Sequence, residues 1–90
     1  MTKDWRNQQV EARLRRLLAT KLYLDVTEAD IGLDDGLRDV LGLDSLGFVE
    51  LRSLIEEMFS VSIADEQFSP AHFASVRALT VLVDQLRADA

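Results

Sequence analysis

Residues 42–60 read Gly42-Leu43-Asp44-Ser45-Leu46-Gly47-Phe48-Val49-Glu50-Leu51-Arg52-Ser53-Leu54-Ile55-Glu56-Glu57-Met58-Phe59-Ser60, and their spacing decides the fold class. At about 100° per residue, Phe48, Leu51, Leu54, Ile55, Met58 and Phe59 gather in one sector. That predicts an amphipathic helix from about Ser45 to Ser60 with those side chains turned to a core. The remaining sector carries Ser45, Glu50, Arg52, Ser53, Glu56 and Glu57, together with Leu46 and Val49. Two apolar side chains on an otherwise polar face, beside a first-turn serine, have the form of a docking patch. Lone exposed apolar residues are also ordinary on protein surfaces, so the patch needs context.

Upstream, residues 23–43 show no sustained period. They hold β-branched Val26, Thr27 and Ile31, the glycines Gly32, Gly36 and Gly42, and scattered aspartates. So long a loop is uncommon in a small domain, but Ile31, Leu33, Leu37, Val40 and Leu41 supply enough apolar surface to pin it, with a helical turn expected around Leu37–Leu41. Before it, Val10, Leu14, Leu17 and Leu18 recur at i, i+4, i+7 and i+8, which predicts a first helix over about 4–22. Arg13, Arg15, Arg16 and Lys21 fall in its second half, where cations suit the negative end of the helix dipole. Downstream, Ser69-Pro70 has the cap-then-proline form of a short helix start. A last helix is expected from Ser75 to about Arg87, with Leu79, Leu82, Val83 and Leu86 on one stripe. Strand-like alternation is scarce. The expectation is an all-α chain of one domain spanning residues 1–90: a four-helix bundle with three longer helices, a short third helix and a long loop between the first two.

Composition sets outer limits. Of the 90 residues, 48% are apolar and 29% charged, an ordinary globular balance. The net charge of −6 is unevenly spread. Residues 1–21 carry six Lys/Arg against two acidic residues, whereas residues 22–70 carry twelve acidic residues against Arg38 and Arg52 alone. So acidic a middle repels phosphate backbones and argues against nucleic acid; it favours a partner with a basic face, though it also suits a solvated surface. No apolar run approaches the roughly 18 residues of a membrane span, and the polar start MTKDWRNQQ lacks the apolar stretch of a secretory signal. With no cysteine, a disulfide scaffold is excluded and a cytoplasmic location is expected. Any thiol chemistry must come from an attached group.

An enzyme acting alone finds little support. The single His and the absence of Cys leave no visible nucleophile–base pair, and His72 reads as structural or solvent-exposed. Asp30, Asp34 and Asp35 resemble a calcium loop only weakly, because Gly32 takes a ligand position and the closing Glu is missing. No phosphate loop or dinucleotide fingerprint occurs, and no resident metal is expected. What remains is Asp44-Ser45-Leu46 at the mouth of the central helix. As pure structure, Asp44 is a helix cap and Ser45 a first-turn residue. The tripeptide arises by chance in roughly 3% of chains this long, so its weight comes from its place: after a long loop, opening an amphipathic helix with an acidic outer face.

Taken together, Leu41-Gly42-Leu43-Asp44-Ser45-Leu46, Val49-Glu50-Leu51, Ile55-Glu56-Glu57-Met58-Phe59, Ile63-Ala64-Asp65-Glu66 and Ser75-Val76 resemble the acyl carrier proteins, from about Val10 to Leu86. The resemblance implies that Ser45 receives 4′-phosphopantetheine from coenzyme A through a separate Mg²⁺-dependent phosphopantetheinyl transferase, with Asp44 helping to present it. Acyl cargo then rides on the arm's thiol as a thioester, and the chain itself is a non-catalytic carrier. The resemblance further implies that Glu50, Glu56 and Glu57 meet basic patches on partner enzymes, with Leu46 and Val49 as apolar contacts beside the arm. The expected partners are the transferase, an acyltransferase or other acyl-loading enzyme, and a ketosynthase or other pathway enzymes; a monomer is expected.

Three departures from fatty-acid carriers stand out. Gly47 replaces an acidic residue, Arg52 sits on the recognition face, and the Ile63–Val76 segment is longer and contains Phe68-Ser69-Pro70. They point to a discrete carrier of polyketide or other specialised metabolism. A fatty-acid or an aminoacyl/peptidyl carrier stays open, although Leu43-Asp44 lacks the Gly-Gly common before the serine of peptidyl carriers. From another class, an unmodified helical interaction domain binding a basic partner would explain the bundle and its acidity but leave Ser45 replaceable.

Overall fold

The computed structural model of the protein describes residues 3–89; residues 1, 2 and 90, the ends of the predicted domain, lie outside the described residues. Three α-helices form, α1 (Lys3–Lys21), α2 (Ser45–Phe59) and α3 (Val76–Asp89), with 3₁₀ turns at Glu28–Asp30 and Asp65–Gln67. Among the described residues there is no strand.

Each helix forms where its apolar period lies and stops where the backbone chemistry changes. In α1, Val10, Leu14, Leu17 and Leu18 are all buried. The three buried residues of α2 are Leu51, Ile55 and Phe59, with Phe48, Leu54 and Met58 half-buried around them. Ser60 ends α2 in the left-handed conformation at φ 55°, its N–H donating to the Glu56 carbonyl. Leu79, Leu82 and Val83 of α3 are buried and Leu86 is half-buried, while the hydroxyl of Ser75 caps the helix by accepting the Ala78 N–H at 3.2 Å. α1 packs on both α2 and α3. Each fully buried Leu is worth about 1.5–3 kcal/mol, so the shared stripe is the main stabilising term.

The long loop is a folded strap. Ile31, Leu37, Leu41 and Leu43 enter the core. The backbone stitches the strap to the start of α3: Leu37 N–H donates to the Ala74 carbonyl at 3.0 Å and Arg77 N–H to the Leu33 carbonyl at 2.9 Å. The expected helical turn is present, with Val40 N–H on the Gly36 carbonyl at 2.9 Å and Gly42 N–H on the Arg38 carbonyl at 3.1 Å. Val40 is a correction: expected to pin the loop, it is 63% exposed, because the turn it sits on buries Leu37 and Leu41 on its other side.

The expected short helix at Ser69-Pro70 shrinks to one turn. Phe73 N–H reaches the Ser69 carbonyl at 3.0 Å, and the Ser69 hydroxyl accepts the His72 N–H at 3.2 Å. Buried Phe73 and Ser75 then draw the chain directly into α3.

Candidate functional site

Ser45 is placed by the three residues before it. Gly42 adopts φ 79°, a left-handed value that costs glycine little, and turns the chain from the Leu37–Leu41 turn towards α2. Leu43 dives into the core and donates its N–H to the Leu37 carbonyl at 2.9 Å. Asp44 is extended, and its carboxylate accepts the Gly47 N–H at 2.8 Å, satisfying one of the free donors at the helix start. Ser45, next in line, is the exposed first residue of α2, and its hydroxyl makes no hydrogen bond among the described residues.

Gly47 is packed closely by the same arrangement. A Cβ there would overlap the Leu43 Cδ1 and lie 3.0 Å from its Cγ and 3.2 Å from Asp44 Oδ1. The residue that looked like a gap in the acidic pattern is the space into which Leu43 packs.

Beside Ser45 opens a cleft of about 840 Å³. Its walls are Ser45, Phe48 and Val49 of α2, the 34–39 stretch of the strap, and residues 68–70 and 73–75. Phe68 and Phe73 meet edge to face with centroids 5.0 Å apart. Among the described residues Arg38 is the one cation on the lining, its guanidinium carbon 5.7 Å from the Phe48 ring centroid. Residue types alone did not reveal this cleft. Phe48 lies three positions after Ser45, about 60° round the helix, so its adjacency was readable, but the strap that supplies Arg38 and Asp39 has no period to place it.

The outward face of α2 divides in two. Leu46 (81% exposed) and Val49 (55% exposed) do stand in solvent, and Val40 of the strap is a further exposed apolar side chain. Glu50 and Glu57 are exposed. Glu56 is half-buried, and its carboxylate accepts the Ile63 N–H at 2.8 Å, which ties it to the segment after α2. Arg52, expected as a positive spot on the face, is drawn aside: it donates to the Ile63 carbonyl, pairs with Asp65 at 3.0 Å, and its guanidinium carbon lies 5.0 Å from the Phe68 ring centroid.

The remaining ionisable candidates are separately engaged. Asp35 accepts the Gly32 N–H at 2.8 Å, and Asp30 accepts the Thr27 hydroxyl at 3.0 Å. Asp34 takes a two-pronged contact from Arg77 at 2.7 and 3.1 Å; the hydrogen bond from that guanidinium holds its carboxyl below the ordinary value and raises Arg77 in turn. His72 is half-buried, its Nδ1 2.8 Å from the Ser69 hydroxyl. Among the described residues no cluster of metal-ligating side chains occurs, and no helix is long and apolar enough to cross a membrane.

With this geometry in place, comparison with known proteins is direct. Residues 12–83 match the phosphopantetheine attachment site family. The chain is 45% identical over 65 residues to an acyl carrier protein of Treponema pallidum (strain Nichols), covering 72% of this chain and 78% of that protein. It is 42% identical over 57 residues to acyl carrier protein 2 of Pseudomonas aeruginosa, covering 63% and 70%. Its fold is similar to a chain in the crystal structure of an engineered Bradyrhizobium japonicum glycine:[carrier protein] ligase complexed with carrier protein from Agrobacterium tumefaciens and ATP. The TM-score is 0.76 at 29% identity, over 84% of this chain and 97% of that one. An all-helical bundle with a long first loop and Asp44-Ser45-Leu46 opening its central helix thus agrees with sequence and structural likeness, and the chain belongs to the acyl carrier protein family, whose cofactor is covalently attached 4′-phosphopantetheine.

Proposed function

We propose that Ser45 is the attachment point and that the chain is a carrier whose arm presents acyl groups to a series of partner enzymes. The observation that carries this reading is the placement of Ser45: an exposed, unengaged hydroxyl at the first position of α2, held there by the Asp44 cap. The residues present fit the group. The hydroxyl is open to a transferase, the start of a helix favours the phosphodiester's negative charge, and the adjoining cleft gives the arm room. Loading forms the Ser45 Oγ–phosphorus bond as the pyrophosphate bond of coenzyme A breaks and adenosine bisphosphate leaves, with the hydroxyl proton passing to a base on the transferase. Once attached, the arm supplies the thiol that a chain without cysteine lacks. The protein's own part is positioning, because a tethered substrate acts at high effective concentration in each active site it reaches.

Docking falls to Leu46 and Val49, flanked by Glu50 and Glu57; Glu56 contributes charge while holding its own fold. Acidic rims of this kind give fast, salt-sensitive encounters, which suits a carrier that must leave one enzyme for the next. The partners follow: a phosphopantetheinyl transferase, an acyl-loading enzyme, and a ketosynthase or comparable pathway enzyme with a basic docking patch. The carrier acts as a monomer in the cytoplasm, with neither nucleic acid nor membrane as partner. The extended 63–76 segment and Gly47 support polyketide or other specialised metabolism over fatty-acid synthesis. The structural likeness to a chain from a complex of carrier protein with a glycine:[carrier protein] ligase favours aminoacyl cargo as the second reading.

The test is intact mass before and after incubation with coenzyme A and a broad-specificity transferase. A gain of one phosphopantetheine, absent in Ser45→Ala, is expected; no gain on folded protein would leave an unmodified interaction domain as the better account. Loading the apo-protein in parallel with malonyl- and glycyl-charged arms, then offering each to a ketosynthase, separates the two cargo classes.

A further inference from the structure

The cleft beside Ser45 is apolar along most of its lining and carries a single cation. Phe48, Phe68, Phe73 and Leu37 supply apolar surface, and among the described residues Arg38 is the only basic side chain on the wall. Two of the nearby acidic residues are already occupied. Asp34 is held by Arg77, Asp44 is held by the Gly47 N–H, and Asp39, also on the lining, forms no ion pair among the described residues. Arg38 is exposed, and its guanidinium likewise has neither an ion pair nor a hydrogen bond among the described residues. An arginine left without a carboxylate in so acidic a region has a capacity the bare chain does not use, and its planar fork matches the oxygens of a phosphate.

Its position selects the phosphate. The Arg38 guanidinium carbon lies 5.7 Å from the centre of the Phe48 ring, and Phe48 is the i+3 neighbour of Ser45, about 5–6 Å away between Cβ atoms. Ser45, Phe48 and Arg38 thus line one cleft, with Phe48 adjoining both of the others. We propose that Arg38 is a positioning residue for the arm: its guanidinium pairs with the phosphodiester on Ser45 and steers the first carbons of the arm across Phe48 into the cleft, away from the exposed Leu46 side. This holds only if Ser45 is the attachment point. The consequence is an arm with two positions, one laid in the cleft and one swung out to a partner. A partner that offers the phosphate its own cation, or takes Arg38 for itself, releases it.

The experiment compares unmodified and phosphopantetheinylated protein by NMR, with loading checked by mass in the same tube. The expected result is a shift of the Arg38 Nε–H resonance on loading, with amide shifts at Phe48, Phe68 and Phe73. In loaded Arg38→Gln, the phosphorus resonance should move from its wild-type position and the amide shifts should shrink at least two-fold; 0.5 M salt should weaken the wild-type shifts in the same way. Loaded wild-type protein with an unmoved Arg38 resonance would overturn the role of Arg38 and leave the carrier reading standing. Absence of the mass gain would overturn both. The wild-type measurement needs no substitution, so a folding defect in Arg38→Gln would not shield the proposal.

Discussion

The carboxylate of Asp44 accepts the backbone N–H of Gly47 at 2.8 Å, so the residue before Ser45 fastens the first turn of the helix that Ser45 opens. Asp44→Ala removes that cap and should cost about 0.5–2 kcal/mol, read by thermal or urea denaturation. It should also slow loading, since fraying of the first turn unsettles Ser45. Asp44→Asn keeps an acceptor oxygen and should recover most of the stability. Equal losses in both variants would mean that charge, and not the cap, is what Asp44 contributes.

Gly47→Ala sets two effects against each other. Helix propensity favours Ala by about 1 kcal/mol, whereas a Cβ would overlap buried Leu43, and overpacking typically costs about 1–3 kcal/mol. Leu43 is only 3% exposed and has little room to swing aside, so the overlap should win and the melting temperature fall. A rise would show that Leu43 repacks freely.

Much of this was legible in the sequence, and the parts that were not share a cause. The periods of α1, α2 and α3 follow from where Val10, Leu51 and Leu79 and their partners recur, and the Asp44 cap follows from residue type. The strap was harder. Val40 and Leu41 are equally apolar neighbours, and only the backbone turn decides that Leu41 enters the core while Val40 faces water. Likewise Arg52 and Glu56 fall on the outer face of a helical wheel, yet both reach sideways to Ile63, because long side chains follow available backbone partners that a wheel does not contain. The cleft belongs to the same class: it is formed by segments far apart in sequence, and only Phe48 announces it.

Glu50, Glu56 and Glu57 should therefore separate on substitution. Glu50→Lys with Glu57→Lys should change stability by less than about 0.5 kcal/mol and weaken transferase docking roughly tenfold at low salt, with a flatter salt dependence. Glu56→Ala leaves the Ile63 N–H without its acceptor and should cost about 1–3 kcal/mol. If Glu56→Ala proved neutral in stability while weakening docking like the pair, all of these carboxylates would belong to the docking face alike.

The Asp34–Arg77 contact makes a pH prediction of definite sign. The guanidinium lowers the Asp34 carboxyl in the folded state, so its stabilising contribution is complete above the unfolded value of about 3.9. It is lost as pH falls through the lower folded value. Both partners are solvent-exposed, so the effect is small and salt-screened. A carboxyl-detected NMR titration should find Asp34 titrating below the ordinary range in the wild type and within it in Arg77→Gln. The same titration curve in both proteins would show that the contact does not persist in solution.

The most direct test of the central claim uses the absence of cysteine. After treatment with coenzyme A and a phosphopantetheinyl transferase, and removal of free coenzyme A, thiols are titrated on the denatured protein. The account predicts one thiol per chain in the wild type and none in Ser45→Ala. No thiol in the wild type, or one thiol in both proteins, would contradict the assignment of Ser45 as the bearer of the arm.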